Sequence, residues 1–185
     1  MTSLKELKDV QTFLKDGKEV AKADLANKYI GFYFSAHWCP PCRGFTPQLA
    51  KWYKDFKANH ERKDDFEIIF VSSDRDEEAF NEYFDEMPWA ALPYDQRKVK
   101  NKLSSAFKVQ GIPTFVIVSP EGELMTKSGR NLVSDDPKAA NFPWTPKSVS
   151  EMLGDSFRKG KETVGKEALE GKYLALYFSA HWCGP

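Results

Sequence analysis

The chain has 185 residues, 27 Lys and Arg against 27 Asp and Glu, and a formal net charge of zero. That length holds one ordinary domain of ~100–150 residues with a remainder, and 41% hydrophobic with 14% aromatic residues excludes a disordered chain. The even charge, interleaved as in Lys15-Asp-Gly-Lys-Glu19 without like-charge blocks, argues against nucleic acid as a partner.

Taken in chain order, Ile30-Gly-Phe-Tyr-Phe-Ser35 is a short apolar run, as expected of a strand covered on both faces. Phe45, Leu49, Trp52, Tyr53 and Phe56 recur at helical spacing and predict one apolar stripe on a helix. Phe66–Val71 reads as a second buried strand, and residues 76–86 as a helix with Phe80 and Phe84 on one face, ending before Met87-Pro-Trp89. A polar helix is expected near 98–107. Thr114–Val118, the turn Pro120-Glu-Gly122 and Glu123–Lys127 then read as a β-hairpin. Pro146 is expected to open a last short helix carrying Val149, Met152 and Leu153. Strand–helix–strand–helix–hairpin–helix predicts an α/β fold: a mixed sheet of parallel strands plus a closing hairpin, flanked by helices.

Tyr-Phe-Ser-Ala-His-Trp-Cys occurs at 33–39 and again at 177–183, an offset of 144 residues between Cys39 and Cys183. The flanks agree at the same offset: Phe13 with Phe157, Val20 with Val164, Leu25 with Leu169, and Lys28-Tyr29 with Lys172-Tyr173. A period of that size is a whole domain. Residues 1–153 are therefore expected to form one domain. Residues 154–185, with Gly154 and 158–161 as linker, are expected to form the truncated start of a second, including a strand at 173–180.

No apolar run approaches the ~18 residues of a membrane span, and Met1-Thr-Ser-Leu-Lys-Glu-Leu-Lys8 lacks the apolar centre of a secretory signal. Three cysteines, Cys39, Cys42 and Cys183, are too few and too odd for a secreted disulfide scaffold. The expectation is an intracellular chain, cytoplasmic or nuclear, with no membrane partner.

Trp38-Cys39-Pro40-Pro41-Cys42 carries the chemistry. Proline is tolerated in a first helical turn, where its missing N–H has no intrahelical partner. Cys39 then sits at the helix start, with Cys42 one turn on. The positive helix end stabilises a thiolate, and in such motifs the thiol pKa falls from ~8.5 to about 7 or below. Cys39 is the expected nucleophile and Cys42 the thiol that opens the mixed disulfide. Zinc competes as a reading, but only His37, His60, His181 and Cys183 could complete a tetrahedral set. A purely structural disulfide would close too short a loop to stabilise much.

Phe34-Ser-Ala-His-Trp-Cys-Pro-Pro-Cys-Arg-Gly-Phe-Thr-Pro47 resembles the nucleoredoxin/tryparedoxin branch of the thioredoxin superfamily. So do Phe66-Glu-Ile-Ile-Phe-Val-Ser-Ser-Asp-Arg75, Glu86-Met-Pro-Trp-Ala-Ala-Leu-Pro-Tyr94, Gly111-Ile-Pro-Thr114 and Phe142-Pro-Trp144. The resemblance is nearer to nucleoredoxins, because Ser73-Asp74-Arg75 stands where tryparedoxins have Trp-Asp-Glu, and because nucleoredoxins are built of tandem units. It implies a thioredoxin-like fold and a protein-disulfide reductase without cofactor or metal. Disulfide-containing client proteins would be its substrates, and an external reductant, such as thioredoxin reductase, glutathione or another dithiol, its electron source. Signalling proteins held in one redox state are the alternative partners, with turnover secondary.

The resemblance also implies roles. Ile112-Pro113 matches the family's cis-proline loop facing the cysteines, Trp38 the aromatic beside the nucleophile (core packing being the alternative), and Pro47 the proline in the active-site helix. Where thioredoxins bury an aspartate as proton acceptor for the resolving thiol, this chain has Tyr33. Asp74 is a candidate replacement, a helix cap being the alternative. His37 is a candidate for tuning the nucleophile or a solvated rim residue. Arg43 is an anion holder or an exposed helix charge, and Trp89 borders the substrate groove or anchors the core.

Overall fold

The computed structural model describes residues 5–182. Its elements begin with β1 (Thr12–Lys15), β2 (Lys18–Ala21), β3 (Tyr29–Ser35), α1 (Pro40–Asn59), β4 (Phe66–Ser72), α2 (Glu77–Phe84) and β5 (Ala90–Ala91). They continue with α3 (Arg97–Ala106), β6 (Thr114–Val118), β7 (Leu124–Thr126), α4 (Gly129–Asp135), α5 (Val149–Met152), β8 (Ser156–Lys159) and β9 (Glu162–Gly165). Two compact units result, Met1–Pro146 and Lys147–Pro185. α5, which the sequence reading gives to the first domain, goes with the second unit and is capped by Ser148 rather than opened by Pro146.

The first unit is built on one seven-stranded mixed sheet in the order β2-β1-β5-β4-β3-β6-β7. β3 pairs in parallel with β4 from Tyr29↔Phe66 to Ser35↔Ser72, and antiparallel with β6 from Ile30↔Val118 to Phe34↔Thr114. Because side chains alternate along a strand, β3 feeds two cores. Tyr33 faces a cluster with Phe45, Leu49, Trp52 and Phe56 of α1 and Phe80 and Tyr83 of α2. Ile30, Phe32 and Phe34 face a cluster with Val99, Leu103 and Phe107, on or just beyond α3. Helices thus cover both faces, and the uniformly apolar run of β3 is explained.

Gly31 is the one position of β3 where a side chain has no room. A Cβ there would lie 2.5 Å from Phe115 Cε2 and 3.0 Å from Phe66 Cζ. The gap is filled by the Phe115 ring of β6, with Phe66 beside it.

Within the first unit three features are additions to the sequence reading: the β1–β2 hairpin, the short strand β5 and the helix α4. The hairpin turns at Asp16-Gly17, both with positive φ (50° and 69°), the backbone that a two-residue Asp-Gly turn requires. The register Phe13↔Val20 follows from it.

The second unit holds α5, the β8–β9 hairpin and a 3-10 turn at Lys166–Leu169. β8 and β9 match β1 and β2 at an offset of 144 residues, and the turn at Lys166–Leu169 matches that at Lys22–Leu25. The strand expected at 173–180 does not form. These residues carry no regular element and lie exposed, although their sequence is close to that of β3. Strand backbone groups need partners on either side, and among the described residues none pairs with this segment. Cys183 lies outside the described residues.

Candidate active site

β3 leads directly into the site. Ser35 closes the strand, Ala36 is buried, and Cys39 becomes the N-terminal cap of α1 with extended backbone (φ −95°, ψ 108°). Pro40 and Pro41 fill the first two helical positions, where the lost N–H groups cost nothing. The Cys42 and Arg43 amides both donate to the Cys39 carbonyl, at 3.0 and 3.1 Å. This tight turn sets the two Cα atoms 5.2 Å apart with the sulfurs at disulfide distance. Cys42 is fully buried and Cys39 nearly so, at the positive end of a twenty-residue helix.

The cysteines face the segment before β6. The Ile112–Pro113 bond is cis, Ile112 packs on Ala36, Cys39 and Cys42, and its carbonyl oxygen lies 3.7 Å from Cys39 Sγ. Trp38, Pro40 and Arg43 form an exposed rim. Trp38 is 52% exposed and donates Nε1–H to the Ser73 carbonyl at 3.0 Å, so it is a surface aromatic and not a core residue.

A set of hydrogen bonds stitches the loop carrying Cys39 to the loop after β4. The Ser73 amide donates to the Ser35 carbonyl at 2.8 Å, and the His37 amide donates to Asp74 Oδ1 at 2.7 Å. Asp74 Oδ2 accepts from Ser72 Oγ at 2.8 Å. Burial pushes the Asp74 carboxyl above its ordinary value, against the hydrogen bonds from Ser72 and His37 and the charge of Arg97. Arg97 donates Nη2–H to the Ser72 carbonyl at 2.8 Å and lies over the Tyr94 ring. Asp74 is not a helix cap: that place belongs to Asp76, whose carboxylate accepts the Ala79 amide.

Other candidates separate clearly. Arg43 donates to the His37 carbonyl at 2.6 Å, from an exposed position. The His37 ring stacks on Tyr83 at 5.3 Å, with Glu82 Oε2 3.9 Å from Nδ1. Trp89 sits in the core: it is wholly buried, edge-on to Tyr33 and Tyr53. Its neighbours Pro88 and Pro93 flank β5, where the segment joins the sheet beside β4.

One group of residues goes beyond the sequence reading. Behind Cys42 four buried hydroxyls close a ring: Tyr33 to Thr46 at 2.8 Å, Thr46 to Tyr83 at 2.5 Å, Tyr83 to Ser35 at 3.1 Å and Ser35 to Tyr33 at 3.0 Å. Thr46 Oγ1 also donates to the Cys42 carbonyl at 3.1 Å. Part of this was open to inference, since Tyr33 and Ser35 share a strand face and Thr46 lies one helical turn after Cys42. Tyr83 comes from another element and gave no local signal. Among the described residues no group of three or more His, Cys, Asp or Glu side chains is arranged to hold a metal.

Residues 27–124 match the family model described as thioredoxin-like. The chain is 40% identical to nucleoredoxin of Danio rerio over 158 residues, covering 84% of this chain and 38% of that protein. It is 40% identical to tryparedoxin of Trypanosoma brucei brucei over 141 residues, covering 76% of this chain and 95% of that one. Among solved structures, tryparedoxin II complexed with glutathionylspermidine superposes with a TM-score of 0.71 at 40% identity, over 79% of this chain and 100% of its own. The chain thus spans less than half the length of the nucleoredoxins it matches, and nearly all of the tryparedoxin.

Proposed function

The chain belongs to the thioredoxin-like family, in the branch of nucleoredoxins and tryparedoxins, and on that footing we propose that its Cys39–Cys42 pair reduces disulfide bonds of client proteins. The observation that carries the reading is the pairing of the two sulfurs at the start of α1, against the Ile112 carbonyl. In the reduced protein the Cys39 thiolate attacks one sulfur of the client disulfide, and the other leaves as a thiolate that takes up a proton. Cys42 then gives up its proton and attacks Cys39 Sγ. The Cys39–Cys42 bond forms, the bond from Cys39 to the client breaks, and the second client thiolate is protonated. Two electrons pass to the client.

Exposed Trp38 and the Ile112-Pro113 segment supply the surface on which client backbone rests. The electron source is proposed to be a dithiol or glutathione-type thiol, in keeping with the relative solved with glutathionylspermidine, or a thioredoxin reductase. No helix of the described residues is long and apolar enough to cross a membrane. A reducing cytoplasmic setting is proposed, because the site must be returned to the dithiol form. Residues 147–185 are proposed to begin a second unit of the same kind, from the matching hairpin and turn.

The test is dithiothreitol-driven reduction of insulin by the wild type, Cys39→Ser and Cys42→Ser. Turnover by the wild type and its loss in both variants is the expected result. No turnover by a folded protein whose Cys39 still alkylates at neutral pH would overturn the reductase reading and favour a redox-controlled binding regulator.

A further inference from the structure

The two cysteines are held by different anchors. Cys39 takes its position from the loop before it: its amide donates to the Ala36 carbonyl at 3.2 Å, and Asp74 holds the His37 amide. Cys42 lies inside the helix, with its amide on the Cys39 carbonyl and Ile112 packed on its cluster. Its carbonyl accepts Thr46 Oγ1, and through Thr46 the first turn of α1 is tied to Tyr33 and Ser35 of β3 and to Tyr83 of α2.

The four hydroxyls are carried by residues at most 1% exposed, so their alternatives to one another are few. Each carries one proton, and the contacts number one more than the protons: four around the ring and one to the Cys42 carbonyl. Two arrangements follow. In one, the four protons run head to tail around the ring. In the other, Thr46 turns its proton to Cys42 and one ring contact goes without. Thr46 is the only member that belongs to both. Burial pushes the Tyr33 phenol far above its ordinary value, so that hydroxyl keeps its proton. A buried polar ring of this kind is rigid when complete and costly when one member is removed.

We propose that Thr46 is a positioning residue for the resolving cysteine, acting in the step that releases the client and not in the first attack. The proposal rests on the two-cysteine exchange described above. In the step concerned, Cys42 S–H and the Cys39-to-client disulfide become the Cys39–Cys42 disulfide and client S–H. Atoms and electrons balance without any co-reactant. While the mixed disulfide exists no bond joins Cys39 to Cys42, and the placement of the Cys42 turn depends on the hydroxyl ring.

The steps separate in a stopped-flow reaction of the reduced full chain, in excess, with 5,5′-dithiobis(2-nitrobenzoate), on a Cys183→Ser background to remove the third thiol. The first chromophore released reports attack by Cys39 and the second reports resolution by Cys42. For Thr46→Val the first phase is expected within twofold of the parent and the second at least tenfold slower, with Thr46→Ser restoring it. Tyr83→Phe, which removes one ring oxygen without changing volume, should slow the second phase several-fold and serves if Thr46→Val does not fold. An unchanged second phase, or equal slowing of both, overturns the proposal. Absence of the first phase in the parent would instead overturn the reductase reading, and Cys42→Ser gives the trace with no second phase.

Discussion

The Asp74 carboxylate accepts the amide N–H of His37 at 2.7 Å, two residues before Cys39. A hydrogen bond to a charged group contributes roughly 1.5–3 kcal/mol, about twice a neutral one. This one fixes the peptide from which Trp38 and Cys39 follow. Asp74→Ala leaves that amide unpartnered, and alkylation of Cys39 by iodoacetamide at neutral pH is expected to slow several-fold. Asp74→Asn keeps an acceptor oxygen for the amide and should stay near the parent rate. Were Asp74 instead the proton acceptor for Cys42, Asn would be as damaging as Ala, and it would act on client release. Equal alkylation rates for all three proteins would exclude the positioning role, and an unchanged rate of client release in Asp74→Asn would exclude the proton-acceptor role.

The same carboxyl gives a pH dependence of stability whose sign is opposite to the usual case. Burial raises the Asp74 pKa in the folded protein above its unfolded value, so between those two values the folded state binds more protons. Stability contributed at this site therefore falls as pH rises through that window. In urea unfolding over the acidic range, the stability of Asp74→Asn relative to the wild type is expected to grow with rising pH across the window. A difference that stays flat would contradict the raised value.

Asp136 behaves in the ordinary sense. Burial opposes its charge, but the amides of Asn141 and Ala140 and the Trp144 indole all donate to it and outweigh that effect, leaving its pKa lowered. Its contribution is present above the unfolded carboxylate pKa of about 3.9 and is lost as pH falls through the lower folded value. Asp136→Ala removes the acceptor that organises residues 136–144. It should lower the urea midpoint at neutral pH, with the gap to the wild type closing toward pH 2. A gap that persists unchanged in acid would exclude the carboxylate as its cause.

The sequence made the site's centre legible because its parts are local. The Cys39-Pro-Pro-Cys42 spacing, the strand before it and the apolar stripe of α1 need only residues a few positions apart. The sheet was legible where strands are mostly apolar, as in β3, β4 and β6. It was not where tertiary pairing makes the strand: β5 is two alanines held between Leu14 of β1 and Ile69 and Phe70 of β4. Asp74 and Tyr33 stood out in the sequence, but their partners did not, because His37, Thr46 and Tyr83 reach them from other elements.

Core and rim tryptophans should respond differently to removal. Trp89 is wholly buried between two tyrosines, and Trp89→Ala is expected to cost about 3–5 kcal/mol in urea unfolding. Gly31→Ala should cost about 1–3 kcal/mol by forcing Phe115 aside. Trp38→Ala, at an exposed site, should cost under about 1 kcal/mol while raising the KM for insulin. Similar losses at Trp38 and Trp89 would contradict the assigned burial.

Segment 173–182 shows what a strand sequence does without neighbours. Tyr177-Phe-Ser-Ala-His-Trp182 repeats the letters that form the end of β3 and its active-site loop, yet Tyr173, Tyr177, Phe178 and Trp182 are each more than four-fifths exposed. In β3 the same residue types are covered by two flanking strands and by helices on both faces. Here the apolar surface and the free backbone groups are available to any partner of like kind, and the most abundant in solution is another copy of the chain. Light scattering during size-exclusion chromatography should therefore show self-association of residues 1–185 that rises with concentration. Residues 1–146, which contain the complete sheet and both cores, should elute as a monomer. Tyr177→Lys with Phe178→Lys should return the full chain to a monomer by placing charges on the would-be strand. If 1–185 is monomeric at every concentration, the exposed aromatics do not drive assembly.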